Sequence, residues 1–444
     1  MEMPVYVKNC IELLENAGYE AYAVGGCVRD TLMGKVPSDW DVTTSALPEE
    51  MQTVFKDFRL VETGIKHGTV TVLCEKNCVE ITTFRIDGTY SDSRHPDNVI
   101  FSRALSDDLS RRDFTVNAMA YSEKTGVIDL FGGKKDLECG VLRTVGQAKR
   151  RFSEDALRIL RAVRFASTLD FEIEEKTLSA MYSCMHRLNE ISAERIKTEL
   201  FKMLCGNGCE RVLTQYRDVV ASVIKPVKAT FDLAHRSPYH CYDVWTHTVK
   251  SICAAPKEPL IRFALLLHDL GKPDAMTEDE NGRRHFKGHV EKSAAIAKDI
   301  CEKLKMSAYE KTTLIQLVRL HDSSPPASRA EIKRWVRDYG ADFLRLLLQV
   351  KKADIWAHSE KGRAREKERA KAELILEQII AENACCTISQ LAVSGTDLKA
   401  LGVAEGKQIG AMLTLLLENV IEEKVENDKE KLIEFLKSHL NKLK

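Results

Sequence analysis

An α+β fold is predicted, with a mixed-sheet head followed by a chain that stays helical to its end. Three observations predict it. β-Branched runs, Thr69 to Cys74 and Val79 to Arg85, alternate with helix-like stretches only in the first part of the chain. After about residue 148 strand signals fade and apolar residues recur with the helical period. A length of 444 residues, 44% hydrophobic and 30% charged, suits about three globular domains.

The elements follow in order. Val5 to Ala17 reads as a short amphipathic helix, and Ala21 to Val24 as a strand entering the turn Gly25-Gly26. The runs at Thr69 and Val79 read as neighbours in one sheet. Pro226 to Pro238 reads as a joint, Pro325-Pro326 as a break, and Glu382 to Thr387 as a loop before a helical tail. The expected divisions are 1–145, 146–238, 239–382 and 383–444.

Charge does not announce a partner, because 66 Lys and Arg balance 66 Asp and Glu, though a balanced total can hide local basic faces. The 13 cysteines are scattered. Cys74/Cys78 and Cys205/Cys209 lack the second half of a zinc site, and the irregular spacing suits reduced thiols. Met1-Glu2-Met3-Pro4 lacks the marks of a signal peptide, and no apolar run approaches the ~20 residues of a membrane helix. The expectation is a cytoplasmic protein without a membrane partner.

Chemistry concentrates first at Gly25-Gly26 and Asp39-Trp40-Asp41. Glycines let backbone N–H groups approach phosphate oxygens. Acids at i and i+2 of a strand share a face and can hold a divalent metal. Together they are the equipment of metal-assisted nucleotidyl transfer. Glu80, an acid in an apolar strand, is a candidate third carboxylate; a solvent-facing residue is the alternative. In Arg111-Arg112-Asp113-Phe114-Thr115-Val116-Asn117, Arg offers forked donors to phosphate or ribose, and Asp and Asn can bond sugar hydroxyls. A helix N-terminus there is equally compatible.

In Glu154 to Phe165, Ala156, Ile159, Leu160 and Val163 make one apolar helical stripe. Asp155, Arg158 and Arg161, at i, i+3 and i+6, make a polar one. An Asp acceptor and an Arg donor would accept the edges of cytosine and adenine and refuse uracil and guanine. A solvated ion pair is the plainer alternative.

These motifs, in this order, resemble the class II tRNA nucleotidyltransferase and bacterial poly(A) polymerase family over about residues 20–170. The resemblance implies a five-stranded polymerase-β-like head followed by a helical neck, body and tail. It implies that Asp39 and Asp41 bind Mg²⁺, that Gly25 and Gly26 line the triphosphate site, and that Arg29 is among the nucleotide-binding residues. Arg112, Asp113 and Asn117 would lie near the ribose. Asp155 and Arg158 would read the base, with Arg161 and Arg164 beside them. The polar stretch Asp87 to Pro96 resembles the flexible loop of members that add a complete CCA, with His95 where Arg is usual. The implied partners are tRNA, CTP and ATP.

A second chemistry lies in His247, His268-Asp269 and Asp322. Imidazole and carboxylate at helix ends suit a divalent metal with open positions for water. The set resembles the H…HD…D pattern of HD phosphohydrolases, which implies a transition metal or Mg²⁺ and removal of phosphates at RNA 3′ ends. His289 and His321 are candidates for a second metal or a phosphate, and Lys272 for a phosphate or for solvent. The tail from Leu391 through Gly410 resembles the tRNA-holding element of HD-containing members; a plain helical hairpin with Gly caps is the alternative. The leading expectation is CCA addition. Its rivals are CC- or A-only addition, a poly(A) polymerase, and an HD phosphohydrolase with an RNA-binding head.

Overall fold

The structure is a computed structural model and describes residues 1–75, 77–88 and 99–442. The chain divides into two units, Met1–Lys225 and Pro226–Lys444. The division falls at the start of the proline-bounded joint expected from the sequence.

The first unit opens with helix α1 (Val5–Asn16), one residue shorter than expected. Among the described residues nine strands follow: β1 (Ala21–Val24), β2 (Asp41–Thr44), β3 (Arg59–Val61), β4 (Thr69–Cys74), β5 (Asn77–Thr83), β6 (Arg85–Asp87), β7 (Val99–Phe101), β8 (Met119–Ser122) and β9 (Gly126–Asp129). Seven form one mixed sheet in the order β3-β4-β5-β2-β1-β8-β9, and β6-β7 is a separate pair. The sheet is wider than the five strands implied by resemblance. The edge strands β3 and β9 have only three and four residues, too short for a periodic signal. β4 and β5 are antiparallel neighbours, as expected.

One face of the sheet is sealed by apolar side chains. Val7 and Leu14 of α1, Ala23, Val42, Val72 and Ile81 are buried in a single cluster. Trp40 joins it. Strand residues alternate between faces, so the residues flanking Trp40 and Val42 are left for the other face. After β9 the unit is helical apart from the two-residue pair Val141–Leu142 and Glu172–Ile173. Its central helix, Leu157–Leu169, buries Ile159, Leu160 and Val163 of the predicted stripe, with Ala156 buried just before it, and Ala162 and Phe165 in addition.

The second unit is built around the helix Pro259–Leu267, buried at every position from Ile261 to Leu267. A helix buried on every face belongs at the centre of a bundle, and its Arg262 is satisfied there by the Ala255 and Pro256 carbonyls. Helices Val244–Ala254, His289–Lys303, Ala308–Leu320 and Ala341–Trp356 belong to the same unit. The tail helices Gly395–Ala400, Lys407–Ile421 and Lys429–Lys442 have a core of their own, with Leu398, Leu416, Leu432 and Leu436 buried. Among the described residues no helix is long and apolar enough to cross a membrane.

Candidate functional site

β1 and β2 are antiparallel with Val24 opposite Asp41, and β2 and β5 are parallel with Asp41 beside Glu80. Neighbours in register project from the same face. With Trp40 and Val42 turned into the core, Asp41 and Glu80 stand on the open face, and Asp39 alternates the same way. Asp39 precedes the strand, and its Oδ1 accepts from Ser38 Oγ at 2.8 Å. Desolvation pushes the Asp41 carboxyl up to about 6; Arg112 opposes this, while Asp39 and Glu80 add to it. Crowded acids whose repulsion a hard cation would relieve fit a divalent metal.

The chain passes from Val24 directly into Gly25, which has φ +80°. A Cβ there would lie 2.9 Å from Arg112 Nη1, and this positive φ is one that L side chains rarely adopt. Arg112 is held by Asp108, Nη2 to Oδ2 at 3.0 Å, and Asp108 also takes Arg111 at 2.6 Å. Arg112 Nε is buried without a hydrogen-bond partner among the described residues. Asp108 was not legible as a site residue, because Asp107-Asp108 reads as an ordinary acidic turn.

A polar chain continues from here. Arg29 donates to Asp30 at 2.9 Å and to Asn117 Oδ1 at 2.5 Å. Asn117 donates to Asp113 Oδ1 at 3.1 Å, and Arg161 Nη2 meets Asp113 Oδ2 at 2.6 Å. Arg164 binds Glu199 at 2.6 Å and lies over the Phe165 ring. Burial alone would raise the Asp113 carboxyl, but Arg161 and Asn117 hold it well below the carboxylate range. Thus Arg29, Asn117, Asp113 and Arg161 are joined in one hydrogen-bonded chain.

The Asp155/Arg158 pair is not formed as the helical spacing implies. The chain leaves one helix at Glu154, Asp155 is extended, and the next helix begins at Leu157. Asp155 therefore pairs with Arg195 at 2.7 Å, and Arg158 with Glu154 at 2.7 Å and the Arg111 carbonyl at 3.0 Å. The loop reading at Asp87 to Pro96 lies largely outside the described residues, which omit 89–98.

The second unit gathers a buried histidine–carboxylate cluster. His247 Nε2 lies 2.8 Å from Asp354 Oδ1, and His268 Nε2 lies 3.2 Å from Asp269 Oδ2 and 3.5 Å from Asp354 Oδ1. On the other side of the same carboxylate, Asp269 Oδ1 faces His289 at 3.6 Å and His321 at 3.9 Å. Each Nε2 is aimed by its own ring: the Nδ1 atoms of His247, His268, His289 and His321 meet the carbonyls of Ala357, Leu265, Phe286 and Val318. Backbone anchoring of Nδ1 is how metal-binding imidazoles are oriented.

His268 Nε2 and both Asp269 oxygens are buried without a hydrogen bond among the described residues, although Lys272 lies 2.7 Å from Asp269 Oδ2. Buried charge left so poorly satisfied is what a cation would complete. Without one, burial opposes a charge on His268, yet Asp269 and Asp354 hold it at about 10. A cavity of about 660 Å³ opens onto the cluster, lined by Asp269, His289, His321 and Asp354.

Asp322 is corrected. Its carboxylate pairs with Arg365 at 3.1 Å, and Asp354 supplies the closing acid instead. Asp322 follows the helix end at His321 and stays half exposed, whereas Asp354 projects from the buried face of Ala341–Trp356. An acid in line with Leu347 and Val350 was the signal available. Lys272 is buried and joins Asp269 to His235 Nε2 at 2.9 Å, so it is no solvated helix end.

Residues 21–143 match the poly A polymerase head domain, residues 170–219 an RNA- and SrmB-binding site model of polymerase A, and residues 285–436 the tRNA nucleotidyltransferase domain 2 model. In these segments and in its fold the chain is similar to CCA-adding enzymes. A CCA-adding enzyme of Levilactobacillus brevis is 52% identical over 204 residues, 46% of this chain and 51% of that one. One from Pediococcus pentosaceus is 44% identical over 256 residues, 56% of this chain and 64% of that one. The match thus spans about half the length of the first of these relatives. In structure, the chain is similar to the Bacillus stearothermophilus CCA-adding enzyme in complex with CTP, with TM-score 0.70, 29% identity and 100% coverage of both chains. The fold is shared with a Thermotoga maritima CCA-adding enzyme complexed with tRNA, with TM-score 0.58, 21% identity, 98% of this chain and 94% of that one.

Proposed function

We propose that this protein adds C, C and A to the 3′ ends of tRNA from CTP and ATP, without a nucleic-acid template. The observation that carries the reading is the register of Asp41, opposite Val24 at the mouth of the Gly25-Gly26 turn and beside Glu80. Mg²⁺ held by Asp39, Asp41 and Glu80 would activate the terminal hydroxyl and stabilise the leaving pyrophosphate. The chain's own groups do the positioning. Gly25 presents backbone to the triphosphate, and Arg112 offers its spare Nε to a phosphate or ribose oxygen. Arg29, Asn117, Asp113 and Arg161 fix one another around the sugar. Base selection falls to Asp155 and Arg158, and Asp155 must exchange Arg195 for the exocyclic amine of cytosine or adenine.

A second activity is proposed for the second unit: hydrolysis of phosphates, including 2′,3′-cyclic phosphates, at RNA 3′ ends. It is supported by Asp269, whose two oxygens face separate pairs of imidazoles, His247 with His268 and His289 with His321. A divalent metal on His247, His268, Asp269 and Asp354 would supply an activated water. Lys272 would neutralise the substrate phosphate from its place beside Asp269.

The test is 3′-end sequencing of tRNA lacking CCA, after incubation with Mg²⁺, CTP and ATP, beside an Asp39→Ala/Asp41→Ala control. Discrete CCA ends, lost in the control, are expected. A CC stop or a run of A would replace this reading with a CC-adding enzyme or a poly(A) polymerase.

A further inference from the structure

Two aromatic rings, each capped by a cation, flank the short helix Glu360–Arg363. Lys361 Nζ lies 5.0 Å from the Tyr239 ring centre, and Arg363 Cζ lies 4.5 Å from that of Trp356. Both rings are open to solvent, Tyr239 at 41% and Trp356 at 60% exposure. By contrast Trp40 and Trp245 are buried.

The short helix is also the wall between two cavities. Gly362 and Tyr239 line the histidine–carboxylate cavity, while Arg363, Trp356 and Lys352 line a second one of about 590 Å³. Gly362 has no room for a side chain, since a Cβ would stand 2.7 Å from the Tyr239 carbonyl. The wall is therefore thin, and neighbouring residues serve opposite cavities. Trp356 also lies two residues after Asp354 on one helix, so the second cavity is fixed in place relative to the metal cluster.

Exposed aromatic faces interleaved with Lys and Arg are how proteins hold single-stranded nucleic acid: rings stack bases and cations take phosphates. Arg363 and Lys352 outnumber Glu366 in the second cavity, which suits a polyanion. We propose that the Trp356–Arg363 cavity is a nucleotide subsite for single-stranded RNA. A base stacks on Trp356, Arg363 and Lys352 take the adjoining phosphate, and the strand's 3′ phosphate reaches the metal cluster past Tyr239. This last part rests on the phosphohydrolase reading of the cluster.

The test uses the full chain loaded with Mn²⁺ and 3′-phosphorylated oligocytidylates of one, two and four nucleotides. Phosphate release gives kcat and KM, and tryptophan fluorescence gives binding. KM should fall with length in the wild type. Trp356→Ala should raise the tetramer KM roughly tenfold, the weight of one stacked base, and leave kcat and the mononucleotide KM unchanged. The tetramer should quench wild-type fluorescence more than that of Trp356→Phe. An unchanged tetramer KM with equal quenching in both proteins overturns the subsite. If no substrate is hydrolysed, the phosphohydrolase reading fails by itself. The fluorescence comparison then decides the subsite, and equal quenching overturns it.

Discussion

Val24 and Asp41 face each other across the antiparallel pair β1–β2, so the chain enters Gly25-Gly26 at the level of the carboxylate. One hydrogen-bond register thus brings a backbone turn and an acid together without any side chain having to reach. It also concentrates charge. Asp41, Asp39 and Glu80 repel, and desolvation adds to the strain on Asp41.

The first prediction follows from that strain. The Asp41 carboxyl rises from 3.8 to about 6 on folding. Between these values the folded chain keeps a proton that the unfolded chain has lost, so metal-free stability falls as pH rises through the window. Asp41→Asn should flatten that fall and raise the melting temperature at pH 7 without metal. Mg²⁺ should raise the wild-type melting temperature and leave the variant's unchanged. Nucleotide addition should drop by more than the ~100-fold typical of losing an outer-shell partner. Thermal scans with and without Mg²⁺, beside single-turnover assays, check each part.

The second concerns Asp113 and Arg161, paired at 2.6 Å. Removing one partner of a buried pair strands the other, at about 3 kcal/mol. Asp113→Asn should cost an amount of that order in urea unfolding. Because the Asp113 carboxyl is held below its usual 3.8, its contribution is present above that pH and is lost as pH falls. Acid unfolding should therefore be shallower in the variant than in the wild type.

Legibility in the sequence tracked how local each constraint is. Gly25-Gly26 and Asp41 could be read because glycine freedom and the two-residue period of a strand act over a few residues. The helical spacing of Asp155 and Arg158 misled because Ala156-Leu157-Arg158 favours helix; the signal available was Asp155 itself, a residue type favoured at helix starts, whose Oδ1 accepts from the Leu157 N–H at 3.0 Å. Asp354 lies far along the chain from His268-Asp269, and only tertiary packing brings it back to them. Asp108 is similar: its burial under Arg111 and Arg112 is a property of the folded turn.

The third prediction separates Asp354 from Asp322. Asp354 lies among the imidazoles, and Asp322 pairs with Arg365 on a half-exposed rim. After Mn²⁺ loading and dialysis, elemental analysis should find metal lost in Asp354→Asn and kept in Asp322→Asn. Phosphate release from a 3′-phosphorylated RNA should follow the metal. Equal retention by both variants would remove Asp354 from the site.

The fourth rests on Lys351. This buried amine donates to the carbonyls of Leu320, His321 and Ser323 at 2.7, 2.8 and 2.5 Å, closing the helix end that carries His321. Burial lowers it from 10.5 to about 8, against the pull of Asp354 and Asp322. Between those values the unfolded chain keeps a proton that the folded chain has released, so this residue makes stability rise with pH across the window. Lys351→Met should abolish that rise. It should also leave three carbonyls without their donor, at about 1–3 kcal/mol near neutral pH. His321, which faces Asp269 and with His268 and Asp269 makes a second possible metal group, would lose its anchor, so metal affinity should fall about 10–100-fold while nucleotide addition by the first unit is untouched. Parallel measurements of unfolding, Mn²⁺ binding and CCA addition test whether Lys351 acts through the position of His321 or only through the fold.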